Sequence, residues 1–474
     1  MSTIKKLASQ TLLYGLSSIL PRMLNYLLVP LHTRVLVNAD FGVMTKLYAY
    51  VAFMVVLLTY GMETAYFNFS RDEKHNEEHV FSTALIAHLS TSALFFIGVL
   101  FFLPSLAQGM RVGNHTDYVF YFAAILALDA ITALPFARLR KQNKAMKFAS
   151  IKLVNVGVNI ALNVLFLLVF PHFNILQNID SVAFIFIANL IASIVTLIML
   201  LPQYSITWVF DTPLFKTMLW YAIPLLVAGL AGMVNETIDR ALMDRLLPDN
   251  VNIGIATGNY GACYKLAMLM SIFIQAYRFA AEPFFFNSTK DADTRINLAA
   301  TTKFLFVICL FIFLGIMFNI SWIKYFVGES YWGGLVIVPY LLLAYVFFAV
   351  YTNLSMWFKL NNKTYYGALF AIGGAVITIV GNLVLVPRYG IVGAAYTTLI
   401  CYALMCAVCF ILGQRNYAIP IEWKPILYYT CITIVLYTVY YVFAPHLIIN
   451  WVMLIGFAGF VAINERKHFT KSVV

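Results

Sequence analysis

Fourteen apolar blocks, each about twenty residues long, leave this chain few ways to fold. They run over roughly 11–31, 43–66, 80–104, 117–137, 151–170, 181–201, 217–246, 260–286, 301–323, 336–357, 367–386, 391–413, 426–444 and 447–464. A barrel strand crosses a bilayer in about ten residues, whereas a helix needs about twenty. The blocks therefore read as helices. Charged residues make up 11% of the chain and hydrophobic ones 62%, against about 25% charged in soluble domains. With a mean hydropathy of +0.84, the sequence predicts an all-α membrane protein of about 14 transmembrane helices.

Lysine and arginine sort the connections between blocks. One set of loops carries Lys5, Lys6, Arg71, Lys74, the cluster Arg138-Arg140-Lys141-Lys144-Lys147, Lys216, Lys290, Arg295, Lys359, Lys363, Arg415, Lys424, Arg466, Lys467 and Lys471. The other set holds Arg34, Arg111, Lys324 and Arg388. The positive-inside rule puts both termini in the cytoplasm. The net charge of +11 is mostly this topological signal, and no nucleic-acid partner is implied. Lys5-Lys6 before an apolar stretch imitates a signal peptide, but Arg22 interrupts the run and no A-x-A site follows.

A long internal repeat organises the blocks. Asp40-Phe41-Gly42 recurs as Asn259-Tyr260-Gly261, Lys46-Leu47 as Lys265-Leu266, Glu63 as Glu282, and Phe67-Asn68 as Phe286-Asn287, each 219 residues on. The same offset joins Asn143-Lys144 to Asn362-Lys363 and Asn163 to Asn382; Arg34 pairs with Arg245 if the intervening loop differs by eight residues. Six spans separate matching elements, so the copies share one orientation. The expected division is an N-lobe over 1–201, a cytoplasmic linker over 202–216, a C-lobe over 217–413, and two extra C-terminal helices within 426–464. Duplicated hydrophobic halves are how many carriers are built, with the substrate held between them.

Charge inside a bilayer is costly and points to function. Arg22 shares a helix face with Ser18 and Asn25, and no carboxylate stands three or four residues from it. It is thus either paired across helices or hydrated, and it is the leading candidate for an anionic group. In the seventh span Glu236, Asp239, Arg240 and Asp244 fall within an arc of about 140°, and the eighth carries Lys265, Gln275, Arg278 and Glu282. Asp129 lies deep in the fourth span and could bind a proton or cation. Asn155, Asn159 and Asn163 stack on one face, either as interhelical glue or as cavity lining. Glu63 and Glu282 lie near helix ends, where interface anchoring is the simpler reading. His88 reads as a satisfied polar residue.

Other signals exclude classes. The extramembrane loops are too short to hold the acceptor of a membrane glycosyltransferase, and G-x-x-x-x-G-K-[ST] is absent, which removes ATP hydrolysis on this chain. No enzyme activity and no cofactor or metal are expected. His75-Asn-Glu-Glu78-His79 spells an inverted zinc-peptidase motif, but it sits in a loop of charges and reads as solvated. All six cysteines fall in apolar blocks, so no disulfide framework is expected.

Several motifs resemble the polysaccharide flippases of the multidrug/oligosaccharidyl-lipid/polysaccharide superfamily. They are Leu28-Val-Pro30-Leu31-His32-Thr33-Arg34-Val-Leu36, Asp40-Phe41-Gly42, Gly61-Met-Glu63-Thr-Ala65, Arg140-Lys-Gln-Asn143-Lys144 and Pro387-x-x-Gly390-x-x-Gly393-Ala-Ala. The resemblance implies two like-oriented six-helix lobes and translocation of an undecaprenyl-pyrophosphate-linked oligosaccharide across the bacterial inner membrane. On that reading Arg22, Asn25, Arg34, Arg240, Arg245, Lys265 and Arg278 are the expected substrate contacts, since arginine suits bidentate phosphate binding. Glu236, Asp239 and Asp129 are the expected coupling sites for H+ or Na+. The expected partners are the lipid-linked sugar and membrane lipids, around a monomer associated with a glycan polymerase or glycosyltransferases. The alternative within the superfamily is a multidrug or cation antiporter, whose cavity should favour acids.

Overall fold

Capping residues fix where several helices start. Asn76, Asp180 and Asp211 each accept a hydrogen bond from a backbone N–H two or three residues on, at 2.8, 2.8 and 2.9 Å, satisfying donors a helix start would leave open. The computed structural model describes residues 19–71, 75–113, 115–176, 178–205, 207–248, 251–286, 291–443 and 446–471, side chains excepted at 280, 283, 291–293 and 466–471. Ser18, Asn287, and the loop bases Lys5, Lys6, Lys74 and Lys290 lie outside the described residues; so do the side chains of Arg466, Lys467 and Lys471.

In chain order the principal helices are α1 (Val29–Val35), α2 (Asn38–Thr59), α3 (Met62–Phe69), α4 (Glu77–Phe101), α5 (Thr116–Lys141), α6 (Ala145–Val164) and α7 (Ser181–Leu200). They continue as α8 (Thr212–Leu246), α9 (Ile253–Phe286), α10 (Asp291–Phe318), α11 (Val338–Leu354), α12 (Tyr365–Tyr389), α13 (Ile391–Asn416), α14 (Trp423–Phe443) and α15 (Leu447–Lys471). No strand occurs among the described residues. Twelve helices there are long and apolar enough to cross a membrane, α2 and α3 counting as one span. The expected first span lies partly outside the described residues. Its described part is a helix over 19–26, a turn at 27–28, then α1; Pro30 in the first turn of α1 has no N–H to continue the earlier helix. The expected eighth span falls in the 34-residue α9, which is not among those twelve. The protein is a multi-pass, all-α membrane protein.

The chain divides into two compact units, Met1–Ala262 with Gly367–Ala394, and Cys263–Tyr366 with Ala395–Val474. The expected lobes divide it by internal similarity instead, so the two divisions answer different questions. In the first unit α5 packs along α4 and α7, α6 along α7, and α8 along α2. Tyr66, Phe81, Leu85, Leu134, Met218 and their neighbours form its main apolar cluster. In the second unit α10 packs along α11, α14 and α15. On α12, Leu369, Ile372, Val376, Ile379, Val380 and Leu383 are exposed while Gly374, Thr378 and Asn382 are buried. Apolar outside and polar inside is the pattern of a helix that faces lipid.

Two close approaches depend on glycine. The break between α2 and α3 falls at Tyr60 and Gly61, both left-handed with φ of 32° and 69°, and a Cβ on Gly61 would stand 3.1 Å from the Ala222 carbonyl oxygen. Where the start of α2 crosses α9, a Cβ on Gly42 would lie 2.4 Å from the Gly254 carbonyl oxygen, and one on Gly258 2.0 Å from that of Asn38. Gly254-x-x-x-Gly258 thus brings two backbones together as small residues do between membrane helices. Asn38 donates to Asn259 Oδ1 across the same crossing (2.6 Å).

The sequence repeat recurs as local structure. Asn143 and Asn362, 219 residues apart, both adopt left-handed backbone, with φ of 56° and 55°. The next residue then donates back to a helix carbonyl, Lys144 N to Leu139 O at 3.0 Å and Lys363 N to Phe358 O at 2.8 Å. Asparagine tolerates this conformation better than most side chains, and the closure is a Schellman-type helix end.

Candidate functional site

Helix α5 runs past a cavity of about 890 Å³ in the first unit. It contributes Asp129 and, three turns on, Arg140. Arg22 and Asn25 enter from 19–26, Glu63 from α3, Lys152 and Asn155 from α6, and Asn189 and Ser193 from α7. Three bases thus face two acids. Ser193 donates to Asp129 Oδ1 (2.9 Å). Lys152 Nζ stands 4.1 Å above the Phe136 ring, a contact that holds a cation while leaving its hydrogen-bond donors available to a ligand. Arg140 forms an ion pair with Glu63 and lies over the Phe67 ring at 5.3 Å. The cavity is therefore basic on balance, with amides and hydroxyls beside apolar side chains such as Val55, Phe148 and Leu226.

Glu63 is more than an interface anchor. Its repeat mate Glu282 meets Lys359 at 2.7 Å and Arg278 at 3.1 Å, and Lys359 is 219 residues after Arg140. Each repeat thus carries the same acid–base pair, within its own unit.

Of the expected substrate and coupling residues, the cavity gathers Arg22, Asn25 and Asp129. The others do not line it. Arg34 is exposed and donates to the Pro30 carbonyl (2.8 Å). Asp239 is buried, 5% exposed, and takes the Tyr260 hydroxyl as donor. Arg245 and Glu236 are exposed, and Arg240 and Lys265 half-buried. Arg278, with a side chain 58% exposed, is tied to Glu282. Position within a span was the sequence criterion, and it does not distinguish a side chain facing a cavity from one facing another helix.

Sequence reasoning missed Arg140 and Lys152 as lining residues. Arg140 belongs to a loop cluster that also signals topology, and Lys152 begins an apolar block where a cation reads as an end-cap. It also missed the buried pair of Lys46 and Asp244. The asparagine stripe serves both of its expected roles. Asn163 is 1% exposed and its Oδ1 accepts from His32 Nε2 at 2.8 Å, whereas Asn155 lines the cavity and donates to Thr196 (2.9 Å). His88 lies against the Thr59 backbone. It is fully buried beside Tyr60, and neither ring nitrogen has a directed hydrogen bond among the described residues.

His75 and His79 flank the start of α4, whose first-turn acids pair with bases. Glu78 lies 3.9 Å from Arg138 and Glu77 3.1 Å from Lys141. The metal-capable group among the described residues is instead His115, Asp117 and Asp180, with one ligand atom each within 4.8 Å of one another. It is exposed, and Asp180 already caps α7.

The site is thus a polar, basic chamber in a bundle of helices long and apolar enough to cross a membrane. Residues 7–289 match the family described as polysaccharide biosynthesis protein, and the chain belongs to that family. No curated protein matches its sequence. Among solved structures, a lipid II flippase, MurJ, in an inward closed conformation aligns with a TM-score of 0.74 at 15% identity, covering 96% of this chain and 99% of that one. An inward-facing multidrug resistance MATE family transporter of the MOP superfamily aligns at 0.61 and 15% identity, covering 88% and 95%. A MATE structure in complex with MaD3S aligns at 0.59 and 15%, covering 86% and 94%. The fold is the one these transporters share.

Proposed function

We propose that the protein is a flippase carrying an undecaprenyl-pyrophosphate-linked oligosaccharide from the cytoplasmic to the periplasmic leaflet of the bacterial inner membrane by alternating access. The observation that carries this reading is the chamber of about 890 Å³ lined by Arg22, Arg140 and Lys152. It sits at the upper end of ordinary ligand pockets, about 300–1,000 Å³. The cargo has a pyrophosphate that needs cations, a sugar head that needs amides and hydroxyls, and a prenyl tail at home in lipid. Arg22 is assigned to the pyrophosphate, with Lys152 and Arg140 as further positive charge. Asn25, Asn155 and Asn189 are assigned to sugar hydroxyls.

Asp129, held by Ser193, is the proposed H+ or Na+ site. Both termini are placed in the cytoplasm by the loop charges, which puts the Arg140 end of the chamber on the cytoplasmic side. The two six-helix lobes supply the alternation, the protein acts as a monomer beside the enzymes that build or polymerise the glycan, and it catalyses no covalent step. A cation antiporter is the competing reading, and Asp129 and Glu63 in the chamber favour it. The excess of bases favours the anionic cargo.

The test is transport by purified protein in liposomes, offering fluorescent lipid-linked oligosaccharide or a cationic dye. Movement of the lipid-linked sugar, abolished in Arg22→Ala and partly kept in Arg22→Lys, is expected. Movement of the dye alone, or full sugar transport by Arg22→Ala, would remove the proposal.

A further inference from the structure

A second cavity, about 350 Å³ and largely apolar apart from a few charged side chains, lies in the second unit between α10, α14 and α15. At its floor Lys303, 4% exposed, meets Glu422 at 2.7 Å and Glu465 at 2.9 Å. Glu465 is 3% exposed and accepts from the Tyr429 hydroxyl through Oε1 (2.8 Å). Its other oxygen, Oε2, is held by Lys303 at 2.9 Å. A carboxylate offers about four lone-pair sites, of which Tyr429 and Lys303 each take one here, and Glu465 lines the cavity. One lysine and two carboxylates leave the floor with one net negative charge, while exposed Lys424 stands at the lining as an opposing positive charge.

We propose that this cavity binds the headgroup of an aminophospholipid, its primary ammonium inward on Glu465 and Glu422 and its phosphate outward by Lys424. An ammonium brings three N–H donors to acceptor-only carboxylates. An inorganic cation would need several oxygens to itself, and Lys303 already occupies one from each acid. A simple anion would meet the negative floor. The source is a lipid because the surrounding surface is apolar and exposed: Leu427, Tyr428, Phe460 and Ile463 are 58%, 61%, 40% and 77% exposed, on two helices that cross the bilayer. Acyl chains fit such a wall, and a soluble zwitterion gains nothing from it.

The experiment compares lipids that differ only at the headgroup. Delipidated protein in detergent is titrated with dioleoyl phosphatidylethanolamine, phosphatidylcholine or phosphatidylglycerol, and thermal unfolding is followed. Phosphatidylcholine keeps both charges but has no N–H. The ethanolamine lipid is expected to bind about tenfold more tightly, or 1.4 kcal/mol, and to raise the unfolding midpoint most. Glu422→Gln alters a side chain 51% exposed, so it should fold, and it should narrow the preference to under about threefold. Equal stabilisation by choline and ethanolamine lipids overturns the proposal. So does phosphatidylglycerol matching the ethanolamine lipid, or an undiminished preference in Glu422→Gln.

Discussion

Lys46 and Asp244 form an ion pair with side chains 3% and 14% exposed, and removing one member tests how the first unit is held together. Lys46 Nζ also donates to the Arg111 carbonyl (3.3 Å), and the Arg111 guanidinium donates to the Asp244 carbonyl (2.5 Å). The three residues thus tie α2, α8 and the turn before α5. In Lys46→Met the ammonium goes and the carboxylate stays, still out of water. Breaking a buried pair in this way costs about 3–5 kcal/mol. Arg111 offsets part of the loss, so about 2–4 kcal/mol is expected. Replacing both partners, as Lys46→Met with Asp244→Leu, should recover most of the loss. A thiol-reactive fluorophore can report unfolding, because Cys263, Cys309, Cys401, Cys406 and Cys409 are buried and only Cys431 is exposed; Cys431→Ser silences that one. A single variant as stable as the parent, or a double variant no better than the single, would show that the pair does not hold these helices.

Three further outcomes follow from the same geometry. Gly258→Ala should destabilise by about 3 kcal/mol or more, since its Cβ meets backbone at 2.0 Å and overpacking costs about 1–3 kcal/mol even where side chains can yield; Gly232→Ala, with nothing within 4 Å, should be neutral or stabilising in the same unfolding assay. His88→Leu should leave folding intact or raise the unfolding midpoint, because an imidazole without directed partners carries a penalty of about 1–3 kcal/mol; a loss of more than that would mean the ring is bonded after all. Glu63→Gln should raise the chamber's positive charge and tighten binding of a pyrophosphate lipid, measured by competition in detergent, while Glu282→Gln, outside the chamber, leaves it unchanged. Equal effects from both would separate the chamber from the cargo.

How far the fold was legible follows from what each signal measures. Helix number and membrane placement depend on summed apolarity, and α5, expected over 117–137, is Thr116–Lys141. The first span was the exception, because Pro30 splits by a single missing N–H what hydropathy reads as continuous. Contacts across the first unit were not legible. Nothing in Lys46-Leu47 announces that Lys46 reaches Asp244, 198 residues away, since the pairing depends on how α2 packs along α8.

The repeat carried more chemical information than the position of any single charge. Choosing charged residues by depth in their helices brought Arg22 and Asp129 into the chamber but also selected Asp239, which Tyr260 holds, and Arg278, which Glu282 holds. Asking instead which charges recur would have found Glu63 with Arg140 and Glu282 with Lys359, because the same 219-residue offset joins both acids and both bases. A pair kept in both copies answers a constraint that both copies share, which is to place a base near a helix end with its charge partly neutralised. The residues that break the repeat are then where the copies can differ in task. Lys152 has Ala371 as its mate and Asp129 has Phe348, so the first copy has a cation and an acid in its chamber where the second has apolar side chains. That asymmetry places the charged chemistry in the first unit, and it predicts that exchanging Lys152 for alanine impairs binding of a pyrophosphate lipid while a lysine at Ala371 does not restore it.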